Sequence, residues 1–444
     1  MRSILALSLC LTCLCGAAGA LEQSPDAQKA YDEMIKHYND KDAKPWIAAA
    51  DFAYQNFLYD KFQEALEKVL TIEPNNTTAR ARLGYLRVGN EWVKAADADE
   101  KEITDNTAKG LVQYGRNWVK PEQAEAQRTA ERKVLGWNFD FRVDSRLGFA
   151  SVYTSGTIED ARKAAAMAET TGSAYWEFYK NVFNLKMPPP LKVFLFKDRA
   201  TFEDVIAKGT HSQQPLGRST IGLYSITTKV LYVRMDTGEA GADSYLATEA
   251  HEMVHALDDR IAGVFKGSGA YSNPAWMDEG RAEYLGTYSR HGMEVQPGSV
   301  NVNARSAIPM IMKDLIAEVQ LKKLMGAQGG FMEAESYAVS FALNYYLLHG
   351  EGGKYTAAFR RFMALGPGRW SLKDFELTVG KLDVIEPAYK KYVNETLIPL
   401  LQAAQKESMD KEEARNEQKD PQAPPKAGIR FKIPELKPTE APQK

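Results

Sequence analysis

The sequence predicts an α+β protein: a helical-repeat region first, then a domain that joins a small mixed sheet to a helical half. Three observations point there. Apolar residues recur at helical spacing from Gln23 to about Gln127. Strand-like runs cluster between Trp137 and Met235. After Asn303 the pattern is helical again through about Gln402. With 444 residues the chain is long enough for two domains.

The first twenty residues read as a secretory signal. Met1-Arg2 is a positive start, Ile4 to Cys15 an apolar core, and Ala18-Gly19-Ala20 an A-x-A cleavage site. The expectation is an exported protein, periplasmic or extracellular, with no membrane span once the signal is cleaved. All three cysteines lie inside this segment, so the mature chain is expected to hold no disulfide.

Residues 21–130 form the helical-repeat region. Trp46, Ala49, Ala50, Ala53 and Tyr54, then Phe62, Ala65, Leu66, Val69, Leu70 and Ile72, mark two helices that end at Glu73-Pro74-Asn75-Asn76. This pair resembles a tetratricopeptide unit, about three residues short. One such unit cannot bury its own face, so helices at Ala30 to Tyr38 and Thr78 to Arg87 are expected to complete it. Gly84 to Lys94 is echoed by Gly110 to Lys120, each read as a small turn with a Trp-Val anchor. For the echoes, packing between helices is favoured over a binding surface; the repeats themselves leave room for a protein partner.

A polar stretch from Lys120 to Arg132 is expected to lead into the second domain, residues 135–402. There Trp137 to Arg146 alternates as a strand, Glu159 to Phe183 follows a helical period, and Leu191 to Phe196 is a strand after three prolines. Ile221 to Met235 reads as two β segments around a polar turn. From 406 to 444 the chain is charged and proline-rich, a composition that cannot offset the entropy of ordering; a disordered tail is expected.

The chemistry concentrates in His251-Glu252-Met253-Val254-His255, an HExxH pattern. The chain has only six histidines, and random order would produce this pattern roughly half a per cent of the time. Asp243 to Ala262 lacks Gly and Pro and is apolar with helical period; Asp243 serves as N-cap and Gly263 as stop. Mid-helix, His251 and His255 share one face and can hold one ion. Glu252 can take a proton from a water activated there.

A catalytic zinc takes three protein ligands. Glu279, in the Pro274-led segment Trp276-Met277-Asp278-Glu279-Gly280-Arg281-Ala282-Glu283-Tyr284, is expected to be the third. Glu283, one turn on, can accept the free ring N–H of a ligand histidine, which fixes its tautomer. The bland alternative for both is a charged helix face.

HExxH followed by W-[LM]-x-E-G-x-A resembles the gluzincin zinc peptidases, closest to bacterial gluzincin-like proteins with an N-terminal tetratricopeptide-like region. The motifs span Asp243 to Tyr284, with looser similarity from Leu135 to Leu400. The resemblance implies a single Zn2+ held by His251, His255 and Glu279, with Glu252 as general base. It also implies an oxyanion donor from a later helix. Tyr337, in Glu335-Ser336-Tyr337-Ala338-Val339-Ser340, matches the family's helix start; His349, Tyr345 and Tyr288 are weaker candidates. The family further implies that the strand just before the metal helix is a sheet edge that pairs with an extended peptide. Gly330-Phe331-Met332-Glu333-Ala334 looks like the aminopeptidase amine clamp but follows the motif and lacks its asparagine, so aminopeptidase action is not favoured.

The expected function is thus an exported zinc metallopeptidase acting on a peptide or protein. Two alternatives stay open: a scaffold that keeps the zinc site and works through its repeats, and a zinc amidase on a non-peptide substrate. The net charge of −2, well mixed, offers no basic stripe for nucleic acid.

Overall fold

The computed structural model describes residues 25–39, 41–88, 90–210, 220–236, 244–262, 273–286, 289–291, 294–296, 320–326, 334–366, 368–403 and 406. The signal segment, Asp243, Gly263, Tyr288 and, apart from Lys406, the C-terminal tail lie outside them. The architecture is α+β, mostly helical, with small sheets.

Four helices come first among the described residues: α1 (Pro25–Ile35), α2 (Ala43–Gln55), α3 (Tyr59–Ile72) and α4 (Thr77–Arg82). Asp42 caps α2 and Asn76 caps α4 through their side chains. Ala49, Ala50 and Ala53 of α2 share a core with Ala65, Leu66 and Val69 of α3.

The next segment differs from the expected run of helices. The two echoed stretches are β-hairpins, β1 (Tyr85–Val88) with β2 (Glu91–Lys94) and β3 (Val112–Tyr114) with β4 (Asn117–Val119). A helix follows each: α5 (Ala95–Ala108) and α6 (Pro121–Leu135). Gly84 and Gly110 enter the hairpins at φ of 75° and 72°, which a β-carbon would strain. The helix expected from Thr78 to Arg87 ends at Arg82, and each expected small turn is instead a strand pair that carries its Trp-Val residues on β2 or β4. The Lys120 to Arg132 stretch is helix α6, opened by Pro121 and closed by left-handed Gly136, rather than a connector.

Among the described residues five strands make the central sheet, in the order β5-β6-β7-β9-β8. They are β5 (Phe141–Asp144), β6 (Ala150–Thr154), β7 (Leu191–Phe196), β8 (Gly222–Ser225) and β9 (Val230–Arg234). The inner pairs β6–β7 and β7–β9 are parallel; β5 and β8 add antiparallel. Helix α7 (Ile158–Tyr179) crosses between β6 and β7, and α8 (Arg199–Thr210) between β7 and β8.

Both faces of the sheet are buried. Val152, Leu191, Val193, Leu195 and Leu231 pack toward α7, while Tyr153, Phe194, Phe196 and Tyr232 pack with Trp137 and Phe202. Helix α7 lies close because its sheet-facing residues are small: Ala161, Ala164, Ala165, Ala168 and Gly172, where a β-carbon would fall 2.4 Å from the Phe149 ring.

Helix α9 (Ser244–Leu257) follows, continued by a π-helical turn at Asp258–Ala262. Then come α10 (Ala275–Gly286), the short pair β10 (Ser289–His291) and β11 (Glu294–Gln296), α11 (Leu321–Gly326), and α12 (Ala334–Gly353), whose helical geometry breaks at Gly350. Helices α13 (Thr356–Ala364), α14 (Leu372–Thr378) and α15 (Leu382–Tyr392) complete the helical half.

The opening helices dock on this body. Phe57, at φ 61° between α2 and α3, sits in the main core with its ring 4.3 Å from that of His349. Arg82 bridges Asp51 and Glu177 of α7, and Lys180 contacts the same two carboxylates.

Candidate metal centre

Helix α9 turns Ala250, Met253, Val254 and Leu257 into the core, which leaves His251, Glu252 and His255 on its other side. Helix α10 packs alongside, and Gly280 lets α12 approach it: a β-carbon there would fall 2.6 Å from the Ser340 carbonyl oxygen.

This packing brings His251, His255 and Glu279 together. The two imidazole Nε2 atoms are 3.2 Å apart. One Glu279 oxygen, Oε2, lies 3.2 Å from His251 Nε2 and 3.3 Å from His255 Nε2. Among the described residues, these three are the group of histidine, cysteine or acidic side chains placed to hold a metal ion. His251 is buried; His255 and Glu279 are partly open to solvent. Glu283 Oε1 lies 3.0 Å from His251 Nδ1, the ring nitrogen turned away from the cluster.

The electrostatics suit a cation. Burial disfavours a charged His251, but Glu283, then Glu279 and Glu252, outweigh it and push its pKa up to about 10. His255 is also raised, with Glu279 overcoming burial. Burial would raise Glu279, yet His255 and His251 hold it well below the usual carboxylate range. A field that favours protons on two imidazoles equally favours a divalent ion between them, and the two compete.

Glu252 is half-buried, and its Oε2 accepts a 2.9 Å hydrogen bond from the main-chain N–H of Tyr224 in β8. The ring of Tyr337, early in α12, is centred 6.2 Å from that of His251. Tyr345 and His349 are instead buried in the core, where His349 Nε2 and the Tyr284 hydroxyl are 2.9 Å apart.

The expected edge strand needs correction. β9, the strand before α9, is internal; β8 is the outer strand among the described residues. A parallel partner, β7, covers the far side of β9.

Sequence reasoning passed over three charged residues here. Arg281 is 1% exposed and pairs with Asp258, 0% exposed, while Asp259 accepts from the Tyr224 hydroxyl. Their signal was charge on an apolar helix face: Arg281 falls four residues from both Met277 and Leu285, and Asp258 four from Val254.

No known family model matches the chain, and no curated protein matches it significantly.

Proposed function

We propose that the chain is a zinc metallopeptidase of the gluzincin type. The observation that carries this is the convergence of His251, His255 and Glu279. Their facing atoms are 3.2, 3.2 and 3.3 Å apart. Ligands set tetrahedrally at zinc's usual bond lengths lie about 3.3 Å from one another. Two imidazole nitrogens and one carboxylate oxygen also match the donor types of a catalytic rather than a structural zinc.

Zinc bound there supplies Lewis acidity, bringing the pKa of a water to about 7 and polarising a carbonyl. Glu252 accepts a proton from the attacking water and delivers it to the amine as the C–N bond breaks. The Tyr224 N–H orients the Glu252 carboxylate for that transfer. Tyr337, beside His251, donates its hydroxyl to the developing oxyanion. An extended peptide would pair along β8, the outer strand among the described residues.

In this reading α1–α4 are a short tetratricopeptide-like unit that meets a protein partner, and the two hairpins are packing elements. Export rests on the composition of the first twenty residues.

The test is elemental analysis of purified protein together with cleavage of casein and a broad peptide library, for wild type and Glu252→Gln. Zinc in both proteins with cleavage only in wild type supports the peptidase. Zinc without any cleavage favours a scaffold, and hydrolysis confined to non-peptide amides favours an amidase.

A further inference from the structure

We infer that Asp258 and Asp259, adjacent in the π-helical turn after the metal helix, are positioning residues with separate targets: Asp258 sets Glu279 through Arg281, and Asp259 sets Glu252 through Tyr224. This rests on the metal site and the general base proposed above.

Neighbouring side chains on a helix leave it in directions roughly a quarter-turn apart. The two carboxylates therefore reach different elements. Asp258 accepts from both terminal nitrogens of Arg281, at 3.2 Å on one oxygen and 2.5 Å on the other, and from the Tyr175 hydroxyl of α7. Arg281 Nε donates to the Met277 carbonyl of its own helix, and the guanidinium lies against the rings of Tyr179, Phe183 and Trp370. A two-pronged pair of this kind resists both rotation and sliding. Arg281 stands two residues from Glu279 and two from Glu283, on the back of α10. Holding it fixes the angle at which both glutamates face the histidines.

Asp259 is 5% exposed. It accepts from the Tyr224 hydroxyl at 2.7 Å and from Lys229 in the β8–β9 turn. Tyr224 thus meets the helix twice, its hydroxyl at Asp259 and its main-chain N–H at Glu252, seven residues or two turns earlier. Gly222 permits this close seating, since a β-carbon would fall 2.6 Å from Thr248 Cγ2. The ring spans from the base to the turn, so the Asp259 contact decides where the N–H points.

If the two aspartates act separately, their loss separates metal affinity from turnover. The double variant Asp258→Leu/Arg281→Met removes both members of the pair, and buried Asp278, 3.6 Å from Arg281, loses that neighbour; Asp258→Asn, which keeps Arg281, is the milder companion should the double variant not fold. Zn2+ affinity is measured by chelator competition and site geometry by the visible spectrum of the Co2+-loaded protein. We expect Zn2+ affinity to fall about 10–100-fold with an altered Co2+ spectrum. Tyr224→Phe is expected to keep both within twofold while kcat falls about tenfold or more at unchanged KM.

Equal losses of affinity and kcat in both variants, or no change in either, overturn the inference. Should wild type bind no Zn2+, the functional reading falls along with it; Zn2+ binding and cleavage with variants like wild type would sink only the division of labour.

Discussion

His251 Nδ1 lies 3.0 Å from a carboxylate oxygen of Glu283, while the Nε2 of the same ring faces Glu279. The ring is thus addressed from both sides by one helix, at residues four apart. A carboxylate at Nδ1 holds the proton there and leaves Nε2 as the donor atom. Glu283→Ala is expected to weaken Zn2+ affinity by about 10–100-fold. Chelator competition measures it, and an unchanged constant would remove Glu283 from the site.

His251→Ala, His255→Ala and Glu279→Ala each leave two of the three converging groups. Each should lose stoichiometric metal after dialysis, read by elemental analysis, while circular dichroism stays helical. Metal retained at wild-type affinity in any of the three would strike that residue from the ligand set.

Glu252→Gln keeps the shape but not the basicity of the side chain. Turnover should fall by about 10²–10⁴-fold with metal content intact. Tyr337→Phe should cost about 10²–10³-fold in kcat, again with metal bound. A Tyr337→Phe variant as fast as wild type would remove that residue from the proposed mechanism.

His349 supplies a prediction about acid. Burial first, and Arg360 second, push its pKa from 6.5 down to about 3. The folded protein therefore holds it neutral while the unfolded chain takes up a proton below pH 6.5. Its contribution to stability is complete above that pH and is lost as pH falls toward 3, at about 1.4 kcal/mol per pH unit. Urea unfolding of metal-free protein between pH 7 and 4 should show a slope shallower by that amount in His349→Gln. Equal slopes would mean that the ring is not held neutral.

Gly280→Ala tests the seating of Glu279, the proposed third ligand. The added carbon would meet Asn344 Nδ2 at 2.1 Å and the Ser340 carbonyl oxygen at 2.6 Å. Because one obstacle is main chain, α10 and α12 must separate. A loss of about 1–3 kcal/mol is expected, with weaker Zn2+ binding because Glu279 is the adjacent residue. Thermal melts with and without chelator separate the two effects.

Much of this molecule was legible from local pattern. Leu191 to Phe196 reads as a strand and is one, because alternate residues meet two different buried faces. The spacing of His251, Glu252 and His255 specifies one helix face, a matter of 3.6 residues per turn and nothing more distant. The strand Ala150 to Thr154 went unread: it is fully buried and carries Ser151 and Thr154, so it shows neither alternation nor a strong apolar run. The hairpins at Tyr85 to Lys94 and Val112 to Val119 were hidden for a related reason, since three or four residues per strand cannot distinguish a period of 2 from one of 3.6.

Local pattern thus determined helix α9, the spacing of its two histidines and the α+β class, since each depends on residues close along the chain. Packing alone decided that Glu279 reaches both imidazoles, that β8 rather than β9 is the outer strand among the described residues, and that Arg281 closes on Asp258. Those pairs join atoms whose residues are 23 to 28 positions apart; at that separation a contact depends on how helices and strands seat against one another, which no periodicity encodes.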